Sequence, residues 1–107
     1  MKERTKALAI PREVKEAVAR RDSCEGHPCC IICGKPAPTS SPLSFSNAHY
    51  ISRAHGGLGI EKNILTLCPR CHRLYDGVGR EEVRPILARH LKACYADFDE
   101  SELTYQK

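Results

Sequence analysis

Apolar residues first recur at helical spacing at Val14, Ala17 and Val18, behind an Ile10-Pro11 pair whose proline suits the first position of a helix. The pattern predicts a helix over residues 11–21 with one apolar face, ending near Asp22-Ser23. Ahead of it, Met1 to Thr5 reads as a frayed basic end. From Cys24 to Pro42 the pattern breaks, and the crowding of Cys, Gly, Pro and Ser predicts irregular backbone. Ser44 to Ser52 alternates as a strand, with His49 at its centre; Gly56, Gly57 and Gly59 mark a loop, and Ile64 to Leu67 forms a short apolar strand. Pro69 then opens a helix that stops at Gly77 and Gly79. Val83, Ile86, Leu87, Leu91 and Cys94 share one face, predicting a last helix over residues 83–95 with Pro85 in its first turn. The acidic tail from Asp97 to Glu102 is expected to pack loosely. The class is α+β, in the order helix, strand, loop, strand, helix, helix.

A chain of 107 residues fits one domain, and one this small buries too little surface to dispense with an extra staple. Seven cysteines are available for that purpose. No apolar run reaches the roughly 18–20 residues that span a bilayer, and the N-terminus lacks the apolar core of a secretion signal. The expected setting is therefore cytoplasmic, with no membrane partner. There thiols stay reduced and clustered cysteines bind metal more often than they pair. The net charge of +4 is uneven: residues 1–21 hold seven basic and three acidic side chains, whereas residues 77–107 hold five and six. The basic end is suited to phosphates, or is simply a solvated helix face.

Two Cys-x-x-Cys pairs, Cys30-Ile-Ile-Cys33 and Cys68-Pro-Arg-Cys71, supply the four thiolates of one tetrahedral zinc. The alternatives are a redox dithiol or plain buried thiols. With 34 residues between Cys33 and Cys68, the ion would pin together the two ends of the strand–loop–strand segment and contribute folding free energy directly. Cys29 competes with Cys30, but a three-residue gap to Cys33 breaks the knuckle turn. Cys24 reads as a spare loop thiol, Cys94 as a small core residue, and His27 as a surface residue.

Inside that interval lie Ala48-His49-Tyr50, Gly56-Gly57 and Asn63, and it closes on Cys71-His72. His49, thirteen residues, Asn63, eight residues, then His72 resembles the HNH endonuclease family, in particular its zinc-containing members and small HNH proteins of phages and prophages. The resemblance covers roughly residues 10–77 and implies a ββα-metal finger stapled by the four-cysteine zinc, between an N-terminal and a C-terminal helix. It implies one nuclease domain over 1–107, with residues 80–107 forming the last helix and tail. It further implies a DNA substrate, a bacterial host cell, and phage packaging proteins as partners; it leaves the oligomeric state open.

The residues support the chemistry independently. Hydrolysing a phosphodiester needs a deprotonated water, and an imidazole with a pKa near ~6.5 is matched to that task, which makes His49 the candidate base. A lone strand histidine is more often an ordinary half-buried residue; its companions argue otherwise. His72 and Asp76, four apart on a helix, project together and can hold one divalent cation, Mg2+, Mn2+, Ni2+ or Zn2+. Asn63 can bond backbone across the loop and fix the strand carrying His49. Arg53, Lys62, Arg70 and Arg73 are candidate contacts to the phosphate backbone, each equally readable as a solvated charge. Tyr50 reads as core, and His90 as a packed or half-exposed histidine.

Ala48 departs from the family, many members of which carry a metal-binding His or Asp immediately before the base. His55 and Asn47 are the substitutes at hand. The main rival reading is a non-catalytic zinc module that binds nucleic acid, and a third is a zinc-stabilised protein-interaction adaptor.

Overall fold

A computed structural model of the chain describes residues 3–105. The fray expected over Met1 to Thr5 falls partly outside them; within them Glu3–Leu8 is already a helix, α1, anchored by Leu8, which is buried. Helix α2, Arg12–Arg21, starts one residue later than expected because Pro11 caps it, its carbonyl accepting from the Val14 and Lys15 N–H groups. Val18 and Ala19 are its buried residues.

A two-residue hairpin follows, β1 (Ser23–Cys24) and β2 (His27–Pro28), turned by Glu25 and Gly26 at φ 50° and 85°. Two left-handed residues in succession match the right-handed twist of paired strands. The turn brings Cys24 back to Cys29, with their Cα atoms 5.9 Å apart, and a disulfide joins them. Cys24 is therefore not a spare thiol, and Cys29 is committed elsewhere than to the knuckle.

Strand β3, Ser46–His49, pairs antiparallel with β4, Ile64–Leu67, from Ser46 opposite Leu67 to His49 opposite Ile64. The first strand is shorter than its alternation suggested, and His49 ends it instead of occupying its centre. Every residue of β4 is buried, because α2 and α3 (Pro69–Asp76) both pack against it. That two-sided burial is why the strand reads as a continuous apolar run.

Helix α4, Arg80–Cys94, begins three residues earlier than expected, so Pro85 lies in its second turn, not its first. One hydrogen bond is lost there, and the helix continues because Val83, Leu87 and Leu91 bury one face. Ile86 is exposed, and so is Cys94, which ends the helix, correcting the core assignment of Cys94.

The tail is not loose. Leu103 is fully buried, its carbonyl accepts from Leu58 N–H at 2.8 Å, and Tyr105 N–H donates to Gly56 O at 2.7 Å. Glu100 accepts from Tyr50 OH at 2.7 Å and pairs with Arg84 at 3.0 Å. One cluster of buried side chains thus runs from Cys30 through Tyr50 and Tyr75 to Leu103. No helix among the described residues is long and apolar enough to cross a membrane.

Candidate functional site

The first knuckle turns at Gly34, φ 77°, where its N–H donates to Cys30 O and the Cys30 N–H donates to Lys35 O, both at 2.9 Å. Ile31 N–H donates to Thr66 O at 3.1 Å and lays the knuckle against β4. Cys68 caps α3, its Sγ accepting from Cys71 N–H at 3.5 Å. All four sulfurs, of Cys30, Cys33, Cys68 and Cys71, lie within 4.8 Å of one another. Bonds of ~2.3 Å in a tetrahedron require sulfurs about 3.8 Å apart, and Cys33 and Cys68 are separated by 3.8 Å. The donor set therefore fits a structural metal, and its softness suits zinc. Burial pushes the Cys30 and Cys71 thiols up. Burial opposes ionisation at Cys68 too, but the Cys71 N–H and neighbouring thiols bring it down to about 7. Four thiols crowded in this way ionise together only when a cation takes up their charge.

The chain around His49 is pinned on both sides. Tyr50 N–H donates to Asn63 O at 2.7 Å, and Ile51 N–H donates to Asn63 Oδ1 at 2.8 Å. Asn63 Nδ2 donates in turn to Ile51 O at 3.2 Å and Leu58 O at 2.9 Å, so this fully buried amide bridges the loop with three hydrogen bonds. A Cβ on Gly57 would lie 2.9 Å from that Nδ2 and closer still to Ile51 O, so only glycine lets the loop approach. The Tyr50 carbonyl accepts from Tyr75 OH at 2.7 Å and from Arg80 at 2.8 Å.

His49 itself is half-buried, with Nε2 2.8 Å from Leu8 O. A carbonyl only accepts, so Nε2 carries the proton and Nδ1 keeps the lone pair. Burial pulls the His49 pKa below 6.5; the Leu8 carbonyl works against that, and nearby Arg53 and His72 reinforce it. The downward shift favours the neutral ring.

His72 Nε2 faces Asp76 Oδ2 at 3.4 Å, and its Nδ1 lies 2.7 Å from Ser46 Oγ. With the Ser46 hydroxyl donating to Leu67 O at 3.2 Å, it accepts from Nδ1–H, which leaves the Nε2 lone pair beside the carboxylate. Ala48 is buried and offers nothing; His55 is tied to Ser52 Oγ at 2.7 Å. Among the described residues the cysteine cluster is the one group of three or more potential ligands, so His72 and Asp76 stand as a pair.

The four basic candidates separate. At 100° per residue, Arg73 falls about 60° beyond Asp76 on α3 and Arg70 further round, and both are exposed. Arg53 sits in the turn Arg53–His55 after His49. Lys62 pairs with Asp97 at 2.8 Å and lies over the Tyr95 ring.

Residues 30–76 match the family model described as HNH endonuclease. The chain carries an HNH domain. The matched segment starts on the first knuckle cysteine and ends on Asp76, enclosing His49, Asn63 and His72. No curated protein matches the chain. An HNH domain points to nuclease chemistry and a nucleic-acid substrate. Two groups that contact His49 and His72 escaped the sequence reading. Ser46 carries no motif, although its strand position opposite Leu67 placed it next to the helix that bears His72. The Leu8 carbonyl is a backbone atom that no side-chain pattern can announce.

Proposed function

We propose that this protein is a metal-dependent DNA endonuclease in which His49 is the general base. The observation that carries the reading is the hydrogen bond from His49 Nε2 to Leu8 O, which leaves a neutral Nδ1 in a ring whose flanking backbone is held rigid. His49 Nδ1 takes a proton from water as its oxygen attacks phosphorus; the bond from phosphorus to O3′ breaks and the departing O3′ oxyanion takes a proton from solvent water, leaving 5′-phosphate and 3′-hydroxyl ends. His72 and Asp76 would hold a divalent cation, Mg2+, Mn2+, Ni2+ or Zn2+, which when bound supplies charge stabilisation to the phosphate and the departing oxygen. Asn63 positions the loop. Zinc on Cys30, Cys33, Cys68 and Cys71 would be structural, since a closed thiolate shell leaves no position for substrate. Arg53, Arg70 and Arg73 are the cations proposed for the DNA backbone. The whole chain would act as one unit, because the tail and α4 buttress the loop that follows His49.

Supercoiled plasmid incubated with the zinc-loaded protein is expected to relax with a divalent metal and to stay intact in EDTA. No nicking with Mg2+, Mn2+ or Ni2+ would replace this reading by that of a zinc module that only binds nucleic acid.

A further inference from the structure

Helix α1 lies entirely outside the matched HNH segment, yet its last turn reaches the base. The final carbonyls of a helix have no partner within it. Here two of them are taken by the segment that runs from His49 to Gly59: Leu8 O accepts from His49 Nε2 at 2.8 Å, and Ala7 O accepts from Gly59 N–H at 3.1 Å. Two further features hold the helix end in place. Leu8 is 2% exposed, so its side chain anchors the turn in the core. A Cβ on Gly59 would lie 1.9 Å from Ala9 O and 3.1 Å from Ile10 Cα, so the segment after α1 is pressed onto a position that only glycine can fill.

We propose that α1 is a positioning clasp for the HNH site: its Leu8 carbonyl fixes the His49 ring and its Nε2–H form, and Gly59 is the seat that lets the clasp close. The catalytic consequence rests on the nuclease reading; the clasp itself is a matter of geometry. Leu8 touches no substrate and acts through His49. A base held by one carbonyl keeps one orientation toward water, whereas a released ring turns about its side-chain bonds and presents either nitrogen. Misplacing a catalytic group by about 1 Å costs up to about 100-fold in rate.

The test compares the full-length zinc-loaded protein with Gly59→Ala and, as an independent way to release the same turn, Leu8→Gly. Zinc content and circular dichroism report whether each variant keeps its fold. In the wild type, nitrogen-15 spectra of the histidine rings are expected to show a His49 Hε2 proton protected from solvent exchange. In both variants that signal should vanish, and kcat for plasmid nicking should fall about 10- to 100-fold with KM for DNA unchanged. An unprotected Hε2 in the wild type overturns the clasp, as does a folded variant that loses protection yet nicks at the wild-type kcat. A protected Hε2 lost in both variants, in a wild type that nicks no DNA, supports the clasp and sinks the nuclease reading instead.

Discussion

His72 owes its orientation to a two-step relay in which Leu67 O holds the Ser46 hydroxyl and the Ser46 oxygen holds Nδ1–H. Without Ser46 the imidazole can rotate or change tautomer, and partners of this kind typically contribute 10- to 100-fold in metal affinity. Ser46→Ala is therefore expected to weaken Mn2+ binding by about that factor in calorimetry while leaving the zinc content unchanged. Equal Mn2+ affinity in the two proteins would remove Ser46 from the site. The residue types His49, Asn63 and His72, and their spacing, were legible in the sequence, because imidazole and amide chemistry is specific. Their partners were not. Leu8 O and Ser46 Oγ belong to groups that every chain carries in quantity, and only the folded geometry selects them.

Three elements meet at one buried carboxylate. Asp22, at the end of α2, accepts from Arg21 at 2.7 and 2.9 Å, from Thr66 N–H of β4 at 3.1 Å, and from His90 of α4 at 2.8 Å. Burial would raise its pKa, but the bonds from His90 and Arg21 outweigh burial and hold it below 3.8. A carboxyl with a depressed folded value contributes stability in full above its unfolded pKa and loses it as pH falls through the lower folded one. Acid unfolding of the wild type should therefore steepen below about pH 4. Asp22→Asn, which leaves Arg21 and His90 facing a neutral amide, should lose about 3–5 kcal/mol at neutral pH in urea titrations and show a flatter acid limb. Equal stability at pH 7 would mean that this junction contributes little. At this scale β4, α2 and α3 were readable from apolar spacing and proline positions. The disulfide was not, because cysteine spacing does not encode pairing. The tail was misjudged because its single buried anchor, Leu103, stands among acidic residues with no periodicity around it.

The whole molecule depends on a link between two distant stretches of chain. The knuckles join residues 30–33 to residues 68–71, and everything between them carries the candidate chemistry. A core of this size is marginal without such a staple. Removing zinc with a strong chelator, or substituting Cys71→Ser, is expected to abolish the cooperative thermal transition seen by circular dichroism. An unchanged melt would show that the apolar cluster suffices alone. The class and the order α2, β3, β4, α3, α4 followed from hydrophobic and turn patterning, whereas α1 and the β1–β2 hairpin did not. The way α1 and the tail close over the loop depends on long-range backbone bonds, which patterning does not reach.

The central claim concerns one proton and one imidazole. Single-turnover cleavage of plasmid by wild type and His49→Ala, matched for zinc content and supplied with the same divalent cation, isolates it. The account predicts a loss of about 100- to 10,000-fold in the variant with DNA binding retained. Equal cleavage by both proteins would contradict it, since His49 would then not be the base.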